Sequence, residues 1–140
     1  MKYTAIHRLY LPILCFLMGT VAMFSQSQNI DWSAENYLVN INGTNVEIKS
    51  VLTKQGNTFT WHQDGYNTDS STDFTVVTAT GNWDVQNQLG ELNYTLLQDE
   101  MPATLKVTGT AESIVVLLTI IHPDQSDDLY SFEVETLTNL

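Results

Sequence analysis

Two stretches of the sequence place a histidine two residues before an aspartate, in His62-Gln63-Asp64 and in His122-Pro123-Asp124. Imidazole and carboxylate groups are metal ligands, but a bound metal needs three or four ligands that converge on one point. In a chain with 16 acidic residues, an aspartate two positions after each of two histidines is expected by chance. The sequence therefore predicts no metal site at these histidines.

A second polar run alternates oxygen-bearing side chains, which are the ligands that calcium prefers. The run lacks the glycine and the distal glutamate of an EF-hand loop, so a solvated loop at residues 64–73 is the favoured interpretation. The sequence has no G-x-S-x-G motif of the serine hydrolases. A glycosidase needs two carboxylates across a cleft, and with 16 acidic residues the sequence does not single out a pair. The sequence predicts no enzyme, no catalytic residue and no cofactor. The members of the run are Asn67, Asp69, Ser71 and Asp73.

Five aromatic residues have the chemistry to stack against a ligand. Trp61, Trp83 and Tyr94 fall on the inward phase of predicted strands, where core packing is the simpler interpretation. Trp32 and Tyr66 fall in irregular segments. They are therefore the candidates for an exposed aromatic contact.

The stretch 113–121, Ser-Ile-Val-Val-Leu-Leu-Thr-Ile-Ile, is the element around which the fold must be built. Seven of its nine residues are large aliphatics and five of those are β-branched, which favours a strand over a helix. Both faces of that strand are largely apolar, so we expect paired neighbours and cover over the second face. The outer face of this strand consists of Val115, Leu117 and Ile121. Its cover distinguishes three cases, which are a ligand cavity, a second sheet layer and a partner protein.

Asn42-Gly43 is a strong hairpin signal, because both positions of a two-residue type I′ turn need a positive φ. The turn predicts antiparallel strands at residues 37–41 and 44–52. The register that follows puts six side chains on one inward face. The predicted pairs are Ile41 with Thr44, Val39 with Val46 and Tyr37 with Ile48.

The chain as a whole reads as eight or nine strands at spacings of eight to twelve residues, with no amphipathic helical run. Such a pattern predicts an all-β fold, either an antiparallel up-and-down barrel of eight or nine strands or a two-sheet β-sandwich. Alternation along these strands predicts the inward-facing side chains. They are Phe59, Trp61, Val76, Trp83, Val85, Leu92, Tyr94 and Leu105.

The first 27 residues predict a cleavable signal peptide, followed by one domain at 28–140. Met1–Arg8 is basic, residues 9–24 are almost all apolar, and small polar residues follow. A membrane anchor needs about 20 apolar residues, more than this run supplies. We therefore expect a secreted or periplasmic protein whose mature chain does not insert into a membrane.

The predicted mature chain has no cysteine and no arginine. It keeps three lysines and all 16 acidic residues, a net charge of −13. It can form no disulfide or thiolate site. Nucleic acid and anionic membranes repel such a surface, so neither is expected as a partner.

Three short motifs resemble small secreted bacterial lipocalin-like (calycin-type) domains. They are Thr58-Phe59-Thr60-Trp61 followed by Gln63-Asp64-Gly65, then Thr80-Gly81-Asn82-Trp83-Asp84-Val85, and the closing Tyr130…Val134…Leu137-Thr138-Asn139-Leu140. The resemblance covers about residues 36–140. It implies a barrel that binds an apolar small molecule without catalysis.

We therefore predict a secreted, non-enzymatic β-barrel that binds an apolar small molecule. An aromatic wall with few polar groups would suit such a ligand. The alternative is a structural or protein-interaction β-sandwich without a pocket, whose partner is a protein. In the first case the predicted ligand-binding residues are Phe59, Trp61, Trp83 and Tyr94.

Overall fold

The computed structural model describes residues 29–65 and 68–140. The predicted signal peptide at 1–27 and the candidate aromatic Tyr66 lie outside the described residues. Within the described part of the chain, no helix could span a bilayer.

Nine strands make up the described part of the chain, and they form one antiparallel sheet. Strands β2 to β8 pair in chain order, β2 with β3 and so on up to β7 with β8, and β1 pairs with both β2 and β8. The sheet thus closes into an eight-stranded up-and-down barrel, with β9 added against β1. The predicted barrel is confirmed, and the sandwich alternative is excluded. The strands are β1 Trp32–Ile41, β2 Thr44–Gln55, β3 Thr58–Gly65, β4 Thr68–Asp84, β5 Leu89–Gln98, β6 Met101–Gly109, β7 Ile114–Ile120, β8 Asp128–Val134 and β9 Thr138–Asn139.

The β1–β2 hairpin has the predicted turn. Asn42 and Gly43 have φ of 49° and 87°, the positive values that a type I′ turn needs. The first two predicted pairs, Ile41 with Thr44 and Val39 with Val46, are present. The register next to the turn is therefore confirmed.

The inward position predicted for Tyr37 is wrong. A β-bulge lies between the pairs Asn36–Ser50 and Leu38–Glu47, where β2 contributes one extra residue. A bulge changes which side of a strand faces the core. Val39 points inward on one side of the bulge and Asn36 on the other, so Tyr37 is 63% exposed.

The loop predicted at residues 64–73 is also wrong for its described part. Strand β3 runs to Gly65 and β4 starts at Thr68, and these two residues face each other across the ladder. Polar side chains pair across the strands, as where Thr60 Oγ1 donates to Asp73 Oδ1 at 2.7 Å. The acidic and polar composition predicted a loop, because nothing apolar marks this end of the two strands.

The predicted central strand is β7, and β6 and β8 pair with it on its two sides. Its inward side chains Ile114, Val116 and Leu118 are buried, whereas Val115 and Leu117 are half-buried on the outside. Opposite Leu117 stands Lys106, whose long apolar stem can shield such a surface. Neighbouring side chains, not a second layer, give the described outer face its partial cover.

The inward side chains fill one core inside the barrel. The predicted inward residues belong to it, apart from Val85, which is exposed because β4 ends at Asp84. Trp32 also belongs to the core, so its predicted exposure is wrong. It begins β1 and points inward, where the sequence suggested an irregular segment.

Candidate functional site

The four predicted ligand-binding residues all point into the barrel. Phe59, Trp61, Trp83 and Tyr94 keep at most 5% of their accessible surface. An open cavity large enough for water would leave accessible surface on the side chains around it. These four rings are instead surrounded by protein.

Phe59 and Tyr94 pack with the ring of Trp32. The Phe59 ring centroid lies 6.1 Å from that of Trp32 and 5.7 Å from that of Phe74. Trp32 Nε1 donates to the Tyr94 hydroxyl at 3.1 Å. Burial raises the pKa of Tyr94, so the hydroxyl stays protonated across the physiological range. The indole of Trp32 occupies space beside two of the predicted ligand-binding residues.

Trp61 packs edge-on against two rings of β8. Its ring centroid lies 4.9 Å from that of Tyr130 and 5.2 Å from that of Phe132. Its Nε1 donates to Ser50 Oγ at 3.0 Å, which satisfies the buried polar group of each residue.

Trp83 lies on Gly109, where a Cβ would come within 2.5 Å of the indole. Only glycine leaves room for the ring at this position. The four predicted residues are thus all part of the packed core, and their role in ligand binding stays a prediction.

One polar cluster anchors the segment before β1. Lys54 is fully buried, and its Nζ donates to Asn29 Oδ1 at 2.5 Å and to Asp31 Oδ1 at 2.7 Å. Asp31 also accepts from the Gly56 N–H at 2.9 Å. The hydrogen bond from Lys54 is the main cause that lowers the pKa of Asp31. The buried ammonium is therefore paired, and its role is to hold residues 29–31 against the barrel.

His62 has serine and aspartate neighbours, a combination that could suggest nucleophilic catalysis. Its Nδ1 is 3.2 Å from Ser71 Oγ and its Nε2 is 3.3 Å from Asp69 Oδ1. However, Asp69 is 80% exposed, so solvent screens its charge from the imidazole. An acyl-transfer site also needs preorganised N–H donors around a water-excluded oxyanion position. The contacts of these three side chains alone do not make such a site.

The second histidine contacts a single carboxylate, with 3.1 Å between His122 Nε2 and Asp128 Oδ2. No group of three or more His, Cys, Asp or Glu side chains at residues 29–65 and 68–140 could hold a metal ion. Of the calcium-like run, Asp69, Ser71 and Asp73 lie on strand β4, and Asn67 lies outside the described residues.

One incompletely paired part of the barrel wall lies along β1. β1 pairs with β8 only over residues 39–41 and with β9 only over residues 32–33. Between these contacts, residues 34–38 pair with β2 alone among the described strands. The opening is a groove of about 720 Å³, which we call the seam groove. It is lined by residues 33–38 of β1 and by Glu133, Glu135, Thr136, Thr138 and Leu140.

Two side-chain amides hold the chain on either side of the seam groove. Asn36 Nδ2 donates to the Glu133 carbonyl oxygen at 2.5 Å, and Asn36 Oδ1 accepts from the Leu38 N–H at 3.0 Å. Gln88 exchanges two hydrogen bonds with the backbone of Leu137, at 2.9 and 3.2 Å. This second amide fixes the chain between β8 and β9.

The rim of the seam groove combines apolar and acidic side chains. Tyr37, Leu38 and Leu140 are exposed there. Glu35, Glu133 and Glu135 carry its charge, and the lining includes no lysine. The sequence did not indicate this site, because the bulge that exposes Tyr37 and the opening beside β8 are both long-range features.

A second surface lies on the outside of β4 to β7. Thr78, Thr95, Thr104 and Thr119 stand opposite one another in successive strands. They border a shallow groove of about 310 Å³ that Leu117 also lines. Beneath this groove β5, β6 and β7 are paired on both sides, whereas β4 at Thr78 and Thr80 pairs with β5 alone, because its ladder with β3 ends at Thr75. Over most of its area this surface offers side chains alone.

Comparison with known proteins returns no match. No protein-family model matches the chain, and neither a curated protein nor a solved structure matches it significantly.

Proposed function

We propose that the protein is an exported, non-enzymatic interaction module that recognises its partner with the outer surface of a packed barrel. The observation that carries this proposal is the filled interior. The bulky inward side chains keep at most 5% of their accessible surface, and Trp32, Phe59 and Phe132 keep less than 2%. A rigid, filled barrel binds with its wall, and the seam groove is the largest break in that wall among the described pockets.

Two further features support the proposal. The N-terminal 27 residues have the pattern of an export signal, and export leaves a chain without cysteine or arginine chemistry. The two described histidines are half-buried and contact partly or fully exposed carboxylates on β4 and β8. The apolar small-molecule ligand stays a prediction, and the experiment below decides between it and the outer surface.

The test measures core packing and ligand uptake on the purified protein. Trp83→Ala should lower the free energy of unfolding by about 3–5 kcal/mol, because a large buried ring leaves a cavity. Tyr37→Ala is the matched control at an exposed aromatic, and its effect should stay within about 0.5 kcal/mol. Titration with a panel of fatty acids and an environment-sensitive dye should give no saturable change in tryptophan fluorescence.

A saturable change with one stoichiometric equivalent of lipid, abolished by Trp83→Ala, would overturn the proposal in favour of an interior ligand. So would a Trp83→Ala penalty no larger than that of Tyr37→Ala, since it would mean that Trp83 borders open space.

A further inference from the structure

The seam groove exposes the edge of a strand. Residues 34–38 of β1 have β2 on one side and the groove on the other. The amide of Asn36 bridges to the Glu133 backbone at the point where a neighbouring strand would otherwise pair. Unpaired strand edges accept an additional strand from another chain. The volume of about 720 Å³ lies within the range of sites that enclose small ligands or short segments.

Three exposed apolar side chains border this edge. Tyr37 and Leu140 are exposed by more than 60%, and Leu38 by 46%. Tyrosine is enriched among the residues that dominate binding energy, because it offers a large apolar area with little side-chain entropy to lose. An incoming strand would place alternate side chains against these three residues.

The charge of the groove selects the kind of strand. Glu35, Glu133 and Glu135 line it, and Glu112 lines the adjoining pocket with Glu133 and Glu135. A second copy of this chain would bring a net charge of −11 toward the same glutamates. Like charges at an interface cost binding energy and opposite charges speed association. The occupant that fits is therefore basic, and a second copy does not fit.

We propose that the seam groove binds an extended segment of a partner protein in which apolar residues alternate with lysine or arginine. The segment adds a strand to the free edge of β1, its apolar side chains contact Tyr37, Leu38 and Leu140, and its basic side chains meet the glutamates. This inference rests on the proposed outer-surface function and names the partner's chemistry.

The experiment measures fluorescence anisotropy of a labelled eight-residue Lys-Val repeat peptide titrated with the purified protein. We expect saturable binding at a stoichiometry of one peptide, weakened by added salt because exposed charges are screened. N-methylation of alternate peptide amides should weaken binding by about tenfold or more, since it removes the donors that pair with β1. A Glu-Val repeat should not bind.

Matched variants locate the site. Tyr37→Ser should weaken peptide binding by about tenfold or more, whereas Val77→Ser, at a 57% exposed position on β4, should leave it unchanged. Glu133→Gln with Glu135→Gln should weaken binding and flatten its salt dependence. The control is Glu100→Gln with Asp127→Asn, which removes two exposed charges outside the groove lining. Thermal unfolding shows that each variant is folded.

Equal losses in the groove and control variants would reduce the effect to general attraction by an acidic protein and overturn the inference. Insensitivity to N-methylation would do the same for strand addition. Dimerisation that Tyr37→Ser abolishes would make a second copy the occupant instead. If the protein binds neither the peptide nor lipid, this inference is wrong and the proposed function still stands. If it binds lipid saturably, the proposed function is wrong.

Discussion

At the scale of single residues, the ion pair between the buried Lys54 and the partly exposed Asp31 constrains the segment before β1. An ammonium taken out of water is costly unless carboxylate and amide oxygens replace its hydration. Asp31 and Asn29 supply those oxygens at 2.7 and 2.5 Å. The pair therefore couples the segment before β1 to the end of β2, and removing the carboxylate leaves the buried ammonium without its counter-charge.

Asp31→Asn should lower the free energy of unfolding at pH 7 by about 1–3 kcal/mol, because the buried Lys54 loses its counter-charge. The hydrogen bond from Lys54 holds the pKa of Asp31 below its ordinary value of 3.8. The carboxylate thus contributes stability that is fully present above pH 4 and is lost as the pH falls through its lowered folded-state pKa. Chemical denaturation of both proteins between pH 7 and pH 2 should show the difference shrinking below pH 4.

Asp127→Asn is the control at an exposed aspartate, and its free energy of unfolding at pH 7 should stay within about 0.5 kcal/mol of the wild-type value. A constant difference between Asp31→Asn and the wild type down to pH 2 would mean that Asp31 acts through shape and not through charge.

At the scale of elements, the β1–β2 hairpin decides the character of the seam. Its turn fixes the pairing from Ile41 inward, and the bulge then reverses the inward face of β1. Asn36 is buried where the reversal occurs and satisfies the Leu38 N–H. The extra residue in β2 thereby leaves Tyr37, which the alternating sequence pattern assigned to the core, exposed on the surface.

Gly43→Val should destabilise the fold by about 1–2 kcal/mol, since a β-branched residue is strained at a φ of 87°. A Cβ at this glycine would meet no heavy atom within 4 Å, so the cost comes from backbone strain and not from a clash. Thr44→Val, at the exposed neighbouring strand position, should cost less than about 0.5 kcal/mol. Urea midpoints of the two variants test this, and equal midpoints would place the strain elsewhere.

Local chemistry accounts for what the sequence could predict. Asn42-Gly43 specifies its turn through φ alone, and the alternation around Phe59, Trp61 and Tyr94 specifies which face is inward. The bulge beside Tyr37 was not predictable, because no turn residue or glycine in the hairpin strands marks it. Residues 68–73 form a strand without an apolar signal, since cross-strand partners in β3 supply their pairing.

At the scale of the whole molecule, the acidic surface works against the closed barrel. The described chain holds its three lysines within 110 residues, and two of them form ion pairs, Lys54 with Asp31 and Lys106 with Glu91 at 2.8 Å. The remaining carboxylates outnumber any positive charge available to them. Self-repulsion of this kind favours the expanded unfolded chain.

Raising the ionic strength from about 0.01 M to about 0.15 M should therefore raise the unfolding temperature by about 2–6 °C, because the screening length shortens from roughly 30 to 8 Å. Lys49→Gln removes one exposed positive charge and should enlarge this response. Differential scanning calorimetry at matched protein concentration measures both. A fall in unfolding temperature with salt would show that attractive pairs outweigh the repulsion.

The seam also has a consequence for the order in which the barrel assembles. The contact between Asn36 and Glu133 joins positions 97 residues apart, and β9 also pairs with β1 from the other end of the chain, whereas the remaining interfaces in the barrel wall join strands that are neighbours in the chain. The entropy of closing a loop grows with its length, so adjacent hairpins form before β8 reaches β1. Distant contacts slow folding, so β1 and β8 stay unjoined for an interval after the hairpins form. During that interval the unjoined edges of β1 and β8 are the places where two nascent chains can pair with each other.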